Sequence, residues 1–371
     1  MFIRWLILLP LSFLYGLIVA FRNKLFDYKI LKTTEFDLPI ISVGNITVGG
    51  TGKTPHIEYL VELLKDQYKI FTLSRGYKRK SSGYFCATTL SSVKEIGDEP
   101  KQIKQKFPDI EVAVCANRVK GIKKIMQQKV EVILLDDAYQ HRYVKPGLSI
   151  LLVDFNRPLH EDKILPLGML RESFGELKRA DIVVITKTPA EIKPIERRLL
   201  RNNLNVLPFQ ELYFTNFQYG NLIPIPRFHN QPPVELCLTE EFAEKKTNIL
   251  LVTGISSPQP LIEHLRQYAG EIEHLIFADH HYYSGRNLLE INHKFEKFVK
   301  NNGGSESILV TTEKDAIRLS ELPELIYGKK IFIPIYYIPV KVEFLSDKEQ
   351  FDNQIIDYVV NYKRKRNLSA K

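Results

Sequence analysis

Chemistry in this chain is concentrated in a few short stretches. The first is Gly44-Asn45-Ile46-Thr47-Val48-Gly49-Gly50-Thr51-Gly52-Lys53-Thr54-Pro55. Glycines let backbone N–H groups approach phosphate oxygens without Cβ interference, and the N-terminus of a following helix faces the same anion. Lys53 would reach the β/γ-phosphates, and the Thr54 hydroxyl would sit on Mg²⁺. The strict phosphate-loop pattern has Gly five residues before Gly52, where this chain has Thr47, so the loop is a variant. The second stretch is Asp136-Asp137, directly after Glu131-Val132-Ile133-Leu134-Leu135. An apolar run ending in Asp is the other half of such a site, where the carboxylate helps hold Mg²⁺. Ser149-Ile150-Leu151-Leu152-Val153-Asp154 has the same form; the continuation Ala138-Tyr139-Gln140-His141-Arg142 distinguishes the first copy. Asp98, in Gly97-Asp98-Glu99-Pro100, reads on sequence physics alone as a helix N-cap. His280 follows a predicted strand end beside Asp279, which could orient it.

These residues need elements to position them. Ile40 to Val43 reads as a buried strand, and Ile57, Leu60, Val61 and Leu64 recur at helical spacing after the loop. Lys69–Ser74, Glu131–Leu135, Ser149–Asp154 and Asp181–Lys187 read as further strands. The second of the five opens into the basic cluster Arg75-Gly76-Tyr77-Lys78-Arg79-Lys80, which is either an anion site or a solvated loop. Residues 191–247 carry prolines and no clean period, and read as a linker with a hairpin. Strands are expected again at Asn248–Val252, His274–Ala278, Ser307–Thr311 and Lys330–Ile335. The expected fold class is α/β. A P-loop lobe with a mainly parallel sheet (25–205) is joined through 206–247 to a smaller Rossmann-like lobe (248–371), with a cleft between the lobes.

The length of 371 residues fits two domains. A net charge of +9, from 52 basic and 43 acidic residues, favours an acidic partner: nucleotide, anionic lipid or nucleic acid. Cys86, Cys115 and Cys237 are few and widely spaced, which points to a reducing compartment without a disulfide framework or zinc site. No charge interrupts the run between Arg4 and Arg22. A helix seated in or on a membrane leaflet over residues 1–24, with Arg4, Arg22 and Lys24 at headgroup level, fits this run best. A cleaved signal peptide, a short spanning helix and a buried core helix are the alternatives, and Pro10 is expected to kink or break the helix. The basic tail Asn361-Tyr362-Lys363-Arg364-Lys365-Arg366 reads as solvated or as touching anionic lipid.

The succession G-N-x-T-x-G-G-x-G-K-T-P, S-R-G-Y, G-D-E-P and D-D-A-Y-Q-H-R resembles the tetraacyldisaccharide 4′-kinase family. That family usually shows D-D-G-F-Q-H, so Ala138 and Tyr139 are mild departures. Leu167-Gly168-Met169-Leu170-Arg171-Glu172, Thr253-Gly254-Ile255, Phe277 to His281 and Thr311 to Asp315 resemble further family segments, so the likeness spans nearly the whole chain. The resemblance implies transfer of the γ-phosphate of ATP to the 4′-hydroxyl of a tetraacylated glucosamine disaccharide 1-phosphate, a lipid A precursor. It also implies the cytoplasmic face of a Gram-negative inner membrane, with membrane lipid and an anionic glycolipid as partners. A monomer without a nucleic-acid partner is expected. It implies Asp98 as general base with His280 as its partner, across a cleft that closes. It implies nucleotide contacts at Thr47, Gly49, Gly50, Thr51, Gly52, Lys53 and Thr54. Metal contacts are implied at Thr54, Asp136, Asp137 and Glu172, and substrate contacts at Arg75, Asn117, Arg118, Gln140 and Arg171. The alternatives are a membrane-associated GTPase or ATPase switch acting on a protein, and a binding protein with a degenerate nucleotide site.

Overall fold

The computed structural model describes residues 2–229, 234–323, 325, 326 and 328–369. The chain forms two compact units. The first comprises Met1–Ser91, Ile103–Phe217 and Val342–Lys371; the second comprises Ser92–Gln102 and Gln218–Lys341. Asp98 therefore belongs to the same unit as His280, whereas the sequence reading put them in different lobes.

The first unit is built on a mainly parallel sheet. Its strand order among the described residues is Val340–Phe344, Glu211–Tyr219, Ile182–Thr186, Leu148–Asp154, Ile40–Gly44, Val132–Asp136, Ile70–Ser74, Glu111–Val114 and Phe85–Cys86. Ile40–Gly44 runs parallel to both neighbours, with Val43 opposite Asp136 and Gly44 opposite Leu151. Every residue of these central strands is buried, as expected where helices cover both faces of a parallel sheet. Glu111–Val114 and Glu211–Tyr219 were not expected as strands. Glu211–Tyr219 is partly exposed and polar, so it lacks the apolar run that reveals a central strand.

The second unit holds a sheet ordered Ile272–Ile276, Asn248–Thr253, Ser307–Thr312, Ile335–Ile338 and Ile223–Pro224. Two expectations shift here. The strand placed at 274–278 occupies Ile272–Ile276, and the one placed at 330–335 occupies Ile335–Ile338. Pro334 has no N–H to give a ladder, and the strand starts just after it. Residues 206–247 are not a loose linker. They contain the nine-residue strand, a short strand and a helix at Glu240–Glu244.

The N-terminal helix runs unbroken over Phe2–Asp27, through Pro10. One stripe of it docks on the first unit. Ser12 Oγ donates to Ile164 O (2.6 Å), and Tyr15 Oη donates to Arg171 O (3.1 Å). Gly16 faces Ile164, and Asn23 and Phe26 are buried. The remaining faces expose Ile7, Leu9, Phe13, Leu14, Leu17, Ile18 and Phe21. The segment is therefore not a buried core helix. Arg22, expected at headgroup level, instead pairs with Glu172 at 3.2 Å and donates to Gln140 O at 3.0 Å. The side chains of Arg4 and of Lys363 to Arg366 lie outside the described residues.

Candidate active site

The loop after Ile40–Gly44 is held from several sides. Gly44 lies against Tyr139, where a Cβ would stand 2.7 Å from the Tyr139 Cβ. Arg171 N donates to Ile46 O (2.7 Å) and Val48 N to Met169 O (2.8 Å), with Thr47 bridged to Leu170. Gln140 Nε2 donates to Asn45 O at 2.7 Å, and Asn45 Nδ2 to Thr51 Oγ1 at 2.9 Å. Thr186 Oγ1 donates to Thr51 O at 3.0 Å. Gly52 has φ +86°, and a Cβ there would meet Phe217 at 2.5 Å, so glycine is required on both counts. The helix Lys53–Leu64 begins at the next residue. His56, one turn in, approaches Gly52 O with Nδ1 at 2.8 Å and Thr215 Oγ1 with Nε2 at 3.2 Å. The carbonyl can only accept, so Nδ1 carries the proton. Burial pushes the imidazole pKa down to about 4.

Beside the loop, Asp137 sits at φ +46°. Both its oxygens lie 3.0 Å from Arg171 Nη1, and Lys53 Nζ is 3.7 Å away. Burial would raise this carboxyl, but Lys53 and Arg171 outweigh it and hold it below the usual carboxylate range. Asp136 is buried at the end of the neighbouring strand. Arg118 donates to the Asp136 and Asp137 carbonyls, and burial lowers its pKa to about 10. Asn117 caps the helix Arg118–Ile125, accepting from Lys120 N at 3.0 Å. It also lines a cavity of about 510 Å³ with Thr34, Ala116, Val119, His141 and Tyr143. Burial first, then Arg118 and Arg75, push His141 down to about 4. Arg75 is exposed at the end of Ile70–Ser74.

Glu172 is held by two arginines. It is 1 % exposed, and its two carboxylate oxygens pair with Arg22 and Arg179. Each oxygen keeps a lone pair beyond its arginine, so a metal contact at Glu172 would share the carboxylate with Arg22 and Arg179.

In the second unit, Asp98 is gripped by Arg318. Nε donates to Oδ1 at 2.7 Å, and Nη2 donates to Oδ2. His280, with φ +57°, places Nδ1 3.0 Å from Asp98 Oδ2. Lys314 Nζ lies 3.0 Å from His280 Nε2 and 3.2 Å from Glu99. Burial alone would raise the Asp98 carboxyl, but Arg318 and then His280 hold it well below the usual range. The carboxylate is thus not a simple N-cap, and the His280 ring meets Asp98 at 3.0 Å more closely than Asp279, whose oxygen is 4.0 Å from Nε2. Asp98, Glu99 and His280 are close enough together to suit a cation, but Arg318 and Lys314 already supply the positive charge there.

The sequence of the chain, compared with known proteins, matches the tetraacyldisaccharide-1-P 4′-kinase family model over residues 4–360. The chain belongs to the tetraacyldisaccharide 4′-kinase family. It is 46% identical to the tetraacyldisaccharide 4′-kinase of Bacteroides thetaiotaomicron, over 99% of this chain and 96% of that protein. It is also 46% identical to the Phocaeicola vulgatus enzyme of the same name, over 99% and 98%. The crystal structure of LpxK from Aquifex aeolicus in complex with ATP is similar, with TM-score 0.67 and 28% identity over 95% of this chain and 98% of that one. The α/β fold with mainly parallel sheets is thus shared with an experimentally solved 4′-kinase.

Sequence reasoning missed Arg318, Lys314 and His56. Lys314 and Arg318 lie four residues apart on the helix Glu313–Ser320, a spacing that puts two cations on one face and was readable. His56 offered no signal, because only its buried partners give it a task.

Proposed function

We propose that this protein phosphorylates the 4′-hydroxyl of a tetraacylated glucosamine disaccharide 1-phosphate with ATP, at the cytoplasmic face of the inner membrane. Membership of the 4′-kinase family over residues 4–360 is the observation that carries this reading. The loop amides and Lys53 hold the ATP phosphates, with Lys53 moving from Asp137 onto them while Arg171 keeps Asp137 in place. Thr54 and the buried Asp136 offer the hard oxygen donors that Mg²⁺ requires, with Asp137 beside them. When bound, the ion would neutralise charge on the β- and γ-phosphate oxygens. Arg75, Arg118 and Gln140, with the cavity at Asn117, suit the anionic disaccharide.

Asp98 and His280 are assigned the proton of the 4′-hydroxyl. The resemblance makes Asp98 the base, but a carboxylate ionised this firmly by Arg318 is a weak one. The geometry supports a different division of labour. Asp98 accepts from His280 Nδ1–H and fixes the ring, leaving Nε2 to take the proton. Lys314 now occupies that position and would give way to the hydroxyl.

The test is incubation with γ-labelled ATP and membrane lipid extract, followed by thin-layer separation. Label in a glycolipid supports the kinase. Label only in free phosphate, released faster when a protein partner is added, would support the nucleotide switch instead.

A further inference from the structure

A guanidinium that the scheme above leaves unused lies on the phosphate loop. The strand Leu148–Asp154 neighbours the strand that feeds the loop and ends in a tight turn. Asp154 Oδ1 accepts from Asn156 N at 3.0 Å, and Asp154 O accepts from Arg157 N at 3.0 Å. The turn sends the Arg157 side chain back across the loop. Nη1 donates to Val48 O at 3.3 Å, and a Cβ on Gly49 would stand 2.7 Å from Nη1 and 3.9 Å from Nη2. The space a side chain at position 49 would fill is therefore taken by the guanidinium.

The nearby carboxylate does not neutralise it, because Asp154 Oδ2 takes Lys187 Nζ at 2.6 Å. Among the described residues no carboxylate pairs with Arg157, whereas Arg171, Arg179 and Arg318 each hold one. A guanidinium without a counter-ion, beside a glycine loop able to turn amide N–H groups on an anion, is arranged for phosphate.

We propose that Arg157 is a catalytic residue that contacts the transferred γ-phosphoryl group. The inference rests on the kinase reading. With Lys53 and the amides preceding it around the β-phosphate, Gly49, four residues earlier, borders the γ-phosphoryl. During transfer the bond from phosphorus to the ADP oxygen breaks, the bond to the sugar oxygen forms, and the hydroxyl proton leaves to His280. Arg157 exchanges no proton. Its fork donates to equatorial oxygens that carry the spread charge of the transition state, as arginines supplied in cis do in other nucleotide enzymes. The bond to Val48 O, long at 3.3 Å, is what it gives up.

The experiment compares wild type with Arg157→Gln and Arg157→Lys. It measures kcat, KM for ATP and for lipid, ADP affinity, and affinity for ADP with aluminium fluoride, a mimic of the phosphoryl in flight. Arg157→Gln is expected to lower kcat by about 10³-fold, the lower edge of what such arginines supply. It should weaken the aluminium fluoride complex by a similar factor and leave ADP affinity within about threefold, since the loop amides persist. Arg157→Lys should recover part of kcat, because it keeps the charge but not the fork. If the Gln variant fails to fold, the Lys variant carries the test through the same readouts. A kcat near wild type overturns the proposal. So does a loss matched by an equal loss of ADP affinity, which would make Arg157 a brace for Val48, or a loss confined to KM for lipid. A wild-type protein that transfers no phosphate to lipid overturns the kinase reading itself, which is a separate outcome.

Discussion

Asp98 is held by a buried guanidinium and an imidazole, and both bear on what its substitution does. Asp98→Asn keeps the shape but removes the charge that Arg318 faces. Breaking a buried pair by removing one partner costs about 3–5 kcal/mol, so the melting temperature should fall well beyond the loss of an N-cap. The sign of the pH dependence follows from the depressed carboxyl. Stability from the pair is fully present above the unfolded carboxylate range near ~3.9 and is lost as pH falls through the lower folded value. The melting-temperature gap between wild type and Asp98→Asn should thus stay constant from neutral pH down to about 5 and close only in stronger acid. On activity, His280→Ala should lower kcat by about 10²–10⁴-fold, the usual contribution of a general base. The Asp98/His280 double variant should lose far less than the product of the single losses, because the two act as one unit. Losses that simply multiply would refute the dyad. Lys53→Ala should abolish transfer with little change in melting temperature. Activity within tenfold of wild type, a loss of only about 1.4 kcal/mol of transition-state stabilisation, would remove Lys53 from the site.

At the level of elements, the strand–loop–helix joint relies on Gly52 and His56. Gly52→Ala forces a side chain into a left-handed backbone, at about 1–2 kcal/mol, and against Phe217. ATP binding should be lost, and adding Phe217→Ala should restore stability in part but not binding. Titration calorimetry together with thermal melts separates the two effects. His56 is kept neutral by burial, with a pKa near 4. Below about pH 6.5 the unfolded chain binds a proton there that the native chain does not, so stability falls as pH drops from about 6.5 to 4. His56→Gln can still donate to Gly52 O but does not titrate. Its acid-induced fall in melting temperature should be shallower, with the remainder owed partly to His141, which burial also pushes down. An unchanged slope would show that His56 titrates as it does in the unfolded chain.

For the whole molecule, the exposed apolar face of the N-terminal helix is compatible with membrane association. Deleting it removes the exposed apolar face and also the contacts of Ser12, Tyr15 and Arg22 with the loop-bracing segment. A cleaner variant replaces Phe13, Leu17 and Phe21 with serine. Each large side chain contributes about 1.5–3 kcal/mol when fully buried in lipid, so this triple change should move the protein from the membrane to the soluble fraction. Turnover of lipid in bilayers should fall, while turnover of detergent-dispersed substrate stays near wild type. A triple variant that sediments with membranes as tightly as wild type would place the anchor elsewhere.

The sequence alone determined what rests on local pattern. The runs at Ile40, Ile70, Val132, Leu148 and Ile182 were legible as buried strands, because each is short, mostly apolar and rich in β-branched or aromatic residues. Gly52-Lys53-Thr54 after such a run had to be a turn into a helix, and the ordered motifs were enough to indicate the family. Only tertiary structure decided what depends on distant partners. Asp98 looked like a cap because its neighbours Glu99 and Pro100 suit a first helical turn, yet Arg318, 220 residues away, sets its charge state. Glu172 meets Arg22, 150 residues away, and Arg179 only because the fold brings both to its carboxylate. Arg157 carried no signal along the chain, and only the turn after Asp154 brings it onto Gly49. Hydrophobic period is written along the chain, but an ionised group takes its role from the charges within a few ångströms, and folding supplies those from anywhere in the sequence.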